Sequence, residues 1–287
     1  MHLLTPQPVF AAILLFAASA FAADPLVRRD VPYLEPKNER QSLDVFAPAD
    51  AKNCPIVVWI HGGGWQRGDK SGVLAKPAAF INRGCVFIPI NTRFVPHVTI
   101  REMAGDVARA IKWAHDNAGK FGGDSNSIFV MGHSAGAQLA ALVCTDERYL
   151  KGQGLDLKNI KGCVPVDGDT YFPALQIDTA EPRRAASYKI KFPEGTHRDL
   201  SSVVQIAKDK GIPPFLMVYV ADHPDSGTAL QATVLAHYLK MANVPAQLHA
   251  APGKTHVSLD AELGVPDDKS TQAIFDFMAA TKRSPRS

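Results

Sequence analysis

The sequence predicts an α/β fold with a mostly parallel central sheet flanked by helices. Three observations carry that expectation. From residue 55 onward, apolar strand-like runs alternate with helical segments, the pattern of parallel strands joined by right-handed crossovers. The runs at 55–60, 85–90 and 214–220 are continuously apolar, as in strands covered on both faces. Each strand then ends in a chemically loaded group: His61-Gly-Gly-Gly, Arg93, Ser134, Asp167, Asp222 or His256. Ligands of such sheets bind beyond the carboxyl ends of the strands.

Taken in order, residues 27–34 and 42–46 are strand-like and separated by the polar turn Glu35-Pro36-Lys37-Asn38, which suits an antiparallel hairpin. The strand at 55–60 runs into His61-Gly62-Gly63-Gly64-Trp65. A helix is expected over 72–82, with Pro77 near its start, then a strand at 85–90 and a loop at 91–99. Residues 101–118 are amphipathic, with Met103, Val107, Ile111 and Ala114 on one stripe. Turn residues at 119–126 lead to a central strand at 127–131 and a helix of small residues at 135–143. A short strand at 162–166 precedes an irregular, aromatic, proline-containing stretch, 170–198, expected to form a cap over the strand ends. The remainder reads as helix 200–208, strand 214–220, helix 228–242 with Leu230, Val234, Leu235 and Tyr238 on one period, strand 246–250, closing helix 271–281 and a frayed tail at 282–287.

The chain has 287 residues, 46% hydrophobic and 21% charged, enough for one sizeable core. Its net charge of +3 lacks the long basic runs of a nucleic-acid binder. Residues 9–22 form an apolar stretch ending Ala20-Phe21-Ala22. That reads as a cleavable secretory signal, 1–22, cut after Ala22. It is too short to span a bilayer, which takes about 20 apolar residues. The expectation is therefore a secreted or periplasmic protein with no stable membrane anchor, and a single catalytic domain over 23–287. Cys54, Cys85, Cys144 and Cys163 lack metal-ligand spacing and read as buried free thiols. If any pair were bridged in an exported protein, Cys54 and Cys85 at the starts of adjacent strands would be the pair to test.

The chemistry centres on Gly132-His133-Ser134-Ala135-Gly136, set between a buried strand and a helix. A sharp turn there strains the serine backbone and needs near-bare neighbours on both sides. A serine hydroxyl is a weak nucleophile and needs a base, and the base needs a carboxylate to fix its tautomer. His256 follows the last strand on a Gly-containing loop, where the order serine, acid, histidine places a base. Asp222, directly after strand 214–220, is the first choice of acid. Asp225 becomes the choice with a shifted register, and Asp167, one strand earlier, is the third candidate. The backbone N–H groups of Gly63, Gly64 and Ala135 would form an oxyanion hole. Trp65 and Arg93 are candidates for the substrate pocket. His61 and His133 sit inside the motifs and are expected to brace loops. Neither a metal nor a cofactor is expected from these motifs.

The chain resembles α/β-hydrolases of the esterase/lipase type with an H-G-G-G oxyanion loop. More narrowly it is similar to small bacterial feruloyl and acetyl-xylan esterases and to kynurenine formamidase. The residues that carry this are Gln41-Ser-Leu-Asp44, His61 to Trp65 with Gly68-Asp69-Lys70, Gly132 to Gly136, Pro213-Pro-Phe-Leu216 and Gly253-Lys-Thr-His256. Asn91-Thr92-Arg93 stands where the family often has Asn-Tyr-Arg. The resemblance implies Ser134 as nucleophile, His256 as base, and Gly63, Gly64 and Ala135 as oxyanion hole. It further implies hydrolysis of a small-molecule or carbohydrate-linked ester, with an aryl-formamidase or a catalytically inactive binding module as alternatives.

Overall fold

The structure, a computed structural model, describes residues 24–222 and 227–283. The expected signal segment, Asp225 and the tail at 284–287 lie outside the described residues. Eight strands form one sheet: β1 (Leu26–Pro32), β2 (Ser42–Ala47), β3 (Cys54–Ile60), β4 (Val86–Ile90), β5 (Gly123–His133), β6 (Ile160–Val166), β7 (Phe215–Val220) and β8 (Ala246–Ala251). Their order is β1-β2-β4-β3-β5-β6-β7-β8. The pairs β1/β2 and β2/β4 are antiparallel, and every pair from β4 to β8 is parallel. The expected hairpin and parallel α/β sheet are both present.

Side chains alternate along the central strands and so build two apolar layers. Ile56, Val58, Ile60, Ile128 and Val130 join the layer that also holds residues of α2 (Ile100–Asn117), α3 (Ala135–Thr145) and α7 (Thr228–Met241). Val57, Trp59, Phe129 and Met131 point the other way. They pack with Phe80 of α1 (Lys76–Asn82) and with Phe277 and Met278 of α9 (Lys269–Arg283). A continuously apolar strand is thus one with a hydrophobic layer on each side.

Several segments differ from expectation. The 170–198 stretch is largely helical: α5 (Pro173–Thr179) and α6 (Pro182–Lys191) lie between α4 (Glu147–Lys151) and β7 in the chain. Each of α5 and α6 has its proline in the first turn, where the missing N–H has no helical partner to lose. The prolines therefore start helices here. The helix expected at 200–208 is replaced by turns. There the Ser201 hydroxyl donates to Tyr171 O at 3.2 Å and accepts from Val204 N at 3.2 Å, local bonds that compete with a helix. Gly123 to Asn126 extend β5 instead of belonging to a turn. The loop expected around His256 is the start of α8 (His256–Glu262).

All four cysteines are free and buried. Cys144 and Cys163 are the pair in hydrogen-bonding contact, not Cys54 and Cys85. Among the described residues, no helix is long and apolar enough to cross a membrane.

One of the tightest passages in the fold joins β3 to the turn after β5. A Cβ on Gly136 would lie 2.2 Å from Ile60 O and 2.6 Å from His61 O. Both obstacles are backbone and cannot swing aside. Gly136→Ala is expected to lower the unfolding free energy by at least about 2 kcal/mol, read as a fall in the urea midpoint at constant m. An unchanged midpoint would mean that β3 and α3 are further apart than described.

Candidate active site

β5 delivers Ser134 to a sharp bend, and α3 starts at the next residue. Ser134 has φ 56° and ψ −120°, a conformation that costs a non-glycine residue of order 1–3 kcal/mol. The surroundings hold it there. Ser134 N donates to Val166 O at 2.9 Å, and a Cβ on Gly132 would lie 2.5 Å from Gly136 O. The two glycines of the motif are required because backbones touch at both positions.

His256 is the first residue of α8. Thr255 caps that helix: its hydroxyl accepts from Ser258 N at 3.1 Å, while the Ser258 hydroxyl accepts from Thr255 N at 2.8 Å. This pins the ring between two partners. Ser134 Oγ lies 2.9 Å from His256 Nε2, and Asp167 Oδ2 lies 2.6 Å from His256 Nδ1. With Nδ1–H donating to the carboxylate, Nε2 is left to accept the serine proton.

The acid position corrects the sequence-based choice. Asp222 does not meet His256. It is exposed beyond β7, and its Oδ2 accepts from Gly253 N at 2.7 Å, bracing the loop that leads to His256. Asp167 directly follows β6 and is almost fully buried. Its Oδ1 accepts from Val220 N at 2.9 Å, so its carboxylate already closes the end of β7. The Thr228 hydroxyl is a further partner. The signal in the sequence was an aspartate at the strand end next to the serine strand, followed by a glycine.

These contacts set the charges. Burial works to raise the Asp167 carboxyl, but His256, Val220 N–H and Thr228 hold it below the usual carboxylate range. Burial works to lower His256, but the Asp167 carboxylate raises it above its ordinary value. His133 lies beside it, with ring centroids 4.4 Å apart. Its Nε2–H donates to His256 O at 3.0 Å. Burial pushes His133 down to about 4, so it stays neutral and does not repel a protonated His256. Behind it, the fully buried Lys76 ammonium pairs with Asp260 Oδ1 at 2.9 Å and donates to Asp260 O at 2.7 Å, tying α8 to α1.

The glycine loop follows β3. Gly63, Gly64 and Trp65 have φ of 123°, 62° and 62°. A Cβ on Gly63 would lie 2.1 Å from Arg67 O. A Cβ on Gly64 would meet nothing within 4 Å, and Gly64 faces the cavity that contains Ser134 and His256. Ala135 is the first residue of α3, so its N–H lies at the positive end of that helix without an intrahelical partner. The loop is braced from behind. His61 Nδ1–H donates to Gly62 O at 2.7 Å, Arg40 Nη2 donates to His61 Nε2 at 3.2 Å and to Gly68 O at 3.1 Å, and Arg40 Nη1 pairs with Asp69 at 3.0 Å. His61 and His133 are thus braces, as expected.

The cavity holds about 530 Å³. Trp65 lines it as expected, with its Nε1–H donated to Gln138 Oε1 at 3.1 Å. Arg93 does not line it. Its guanidinium is held by the fully buried Asp106, Nε to Oδ2 and Nη2 to Oδ1 both at 2.8 Å. The sequence reading missed the other wall, formed by Arg184, Ser187, Tyr188 and Lys191 of α6. Their spacing of three, four and seven residues marks one helix face, and it was legible once that stretch was read as helix. Among the described residues, no group of three or more His, Cys, Asp or Glu side chains is placed to hold a metal ion.

Comparison with known proteins bears on the fold. A family model described as BD-FAE matches residues 43–164. Esterase LipC of Mycobacterium tuberculosis is 40% identical over 108 residues, covering 36% of this chain and 26% of that protein. The chain spans less than two thirds of the curated relatives it matches, from 26% to 58% of their lengths. Among solved structures, esterase B from Lactobacillus rhamnosis superposes with a TM-score of 0.72 at 20% identity, covering 91% of this chain and 88% of that one. A carbohydrate esterase from gut microbiota gives 0.70 at 18% identity, covering 90% and 97%. The fold is that of the α/β-hydrolases.

The two aspartates separate cleanly in kinetics. Asp167→Asn is expected to lower kcat by roughly 10³–10⁴-fold on an ester substrate, and Asp222→Asn by less than about tenfold. The reverse ranking would return the acid role to Asp222. The raised His256 also has a sign. A base must be unprotonated, so kcat/KM should rise with pH through an apparent pKa above His256's ordinary 6.5. In Asp167→Asn that inflection should move to lower pH. A profile unchanged by the substitution would uncouple the two side chains.

Proposed function

We propose that the chain is a serine carboxylic-ester hydrolase that works through an acyl-enzyme. The observation that carries this reading is the continuous chain from Ser134 through His256 to Asp167 at 2.9 and 2.6 Å, opening on a cavity. His256 Nε2 takes the Ser134 proton as Oγ attacks the ester carbonyl. The tetrahedral oxyanion is met by the N–H groups of Gly63, Gly64 and Ala135. His256 then gives its proton to the leaving alcohol. Water attacks the acyl-enzyme with His256 again as base, and Ser134 is restored. Asp167 fixes the imidazole tautomer and stabilises the imidazolium at each stage.

The substrate class is a small ester with a short or carbohydrate-linked acyl group. The cavity volume of about 530 Å³ suits such a ligand. The likeness to a carbohydrate esterase supports the sugar-linked form. The apolar stretch at 9–22 ending Ala-Phe-Ala supports export, which would place the enzyme where extracellular esters are met.

The test is hydrolysis of p-nitrophenyl acetate, butyrate and octanoate by wild type and Ser134→Ala, with labelling by an alkyl phosphonate. Wild type should turn over the shorter esters and take one phosphonate, while the variant loses at least about 10³-fold in kcat and is not labelled. Equal labelling of both proteins would overturn the nucleophile. Turnover confined to an N-formyl arylamide would replace the ester by an amide substrate.

A further inference from the structure

The inner face of α6 presents two cations to the cavity, and they are not equivalent. Arg184 is neutralised, since its Nη2 pairs with Asp169 Oδ2 at 2.8 Å, and the same carboxylate accepts the Tyr188 hydroxyl. Asp167, the other carboxylate of the cavity, is committed to His256. Lys191 donates only to the neutral Ser187 hydroxyl, at 2.9 Å. It has no carboxylate partner among the described residues. Its ammonium stands 5.8 Å from the centroid of the Trp65 ring.

That ring is a fixed platform. Its N–H is bound by Gln138, and Tyr188 and Phe192 meet it edge-on at 6.4 and 5.2 Å. The ammonium therefore sits on a partly apolar wall of the cavity that Ser134 also lines. It also borders a second cavity of about 420 Å³, whose lining includes Val98, Ile100, Ile190 and Pro193. Partial burial lowers the Lys191 ammonium, which shows that water is partly stripped from it, while Asp169 works the other way. During acylation the imidazolium of His256 is matched by Asp167, and Arg184 by Asp169. Among the described residues, one positive charge in the pocket is left without an anion.

We infer that Lys191 receives a carboxylate carried by the substrate, so that the esters hydrolysed here are anionic: half-esters of dicarboxylic acids, or esters formed on a hydroxyl of a sugar acid or aromatic acid whose carboxylate stays free. The inference rests on the reading of this site as an ester hydrolase and names its substrate class. The rival role for Lys191 is a purely apolar one, in which its four-carbon stem covers Trp65. Methionine keeps that stem and removes the charge, and arginine keeps the charge.

Binding to Ser134→Ala separates the inference from turnover. Monomethyl succinate, glutarate and adipate would be titrated into Ser134→Ala beside the matching dimethyl esters. At least one half-ester is expected to bind about tenfold tighter than its neutral partner, with an advantage that shrinks as salt rises. Adding Lys191→Met should erase the advantage, and adding Lys191→Arg should retain it. In turnover by enzymes with Ser134 intact, the anionic-to-neutral ratio of kcat/KM should follow the same order. Equal binding of both ester types, or an advantage that survives Lys191→Met, would overturn the inference. A Lys191-dependent preference in Ser134→Ala, with no ester turned over when Ser134 is present, would uphold Lys191 as the partner of a ligand carboxylate and reject the hydrolase reading instead.

Discussion

Two backbones pass too close at the centre of this molecule for a side chain to fit between them. The end of β3 at Ile60 and His61 lies against Gly136, and Gly132 lies against the carbonyl of Gly136. Because β3 and β5 are parallel neighbours, this approach puts the loop after β3 beside the bend after β5. The first carries the glycine N–H groups and the second carries Ser134. The proposed nucleophile and its proposed oxyanion donors are thus brought together by one packing constraint. The backbone strain at Ser134 is held by that constraint, since the turn has no room to relax toward β3.

The rest of the site depends on strand ends further along the same sheet. β6 leads directly into Asp167, and β8 returns His256 from beyond β7. Asp167 does two tasks at once, since one oxygen takes the His256 N–H and the other takes Val220 N–H. That second bond joins Asp167 to the end of β7, although this acid stands one strand earlier than the chain order first suggests. Asp222, left outside, secures Gly253 and the turn before His256. Both carboxylates serve the same histidine, one by contact and one by holding its loop.

Much of this was legible in residue order. Strand positions followed from apolar runs such as 55–60 and 214–220, because a strand buried on both faces has no polar alternation to obscure it. Ser134, His256 and the glycine loop followed from motifs whose spacing mirrors backbone geometry. What was not legible depended on contacts between distant segments. Arg93 looked available until Asp106, from the next helix, was seen to hold two of its guanidinium nitrogens. The prolines at 173 and 182 looked like breaks until they proved to open helices. The choice among the aspartates turned on which strand end a backbone N–H occupied, and no local pattern reports that.

The motifs furthest from Ser134 explain why the glycine loop keeps its shape. Lys70 is buried and pairs with Asp44 and Asp30, each at 2.6 Å. Asp69 takes Ser71 N–H, an Asn91 amide hydrogen and the Arg40 guanidinium. Burial works to raise its carboxyl, but those donors hold it well below the usual carboxylate range. Arg40 carries the link onward to His61 and Gly68. The Gln41 amide joins Asp106, which also holds Arg93. Gln41, Asp44, Asp69 and Lys70 therefore form a polar frame at the antiparallel side of the sheet. Such a frame is rigid only when every member is satisfied, and each of its carboxylates is paired with a cation. It fixes the glycine loop without adding charge to the pocket, where the electrostatics stay with Asp167, His256 and the face of α6.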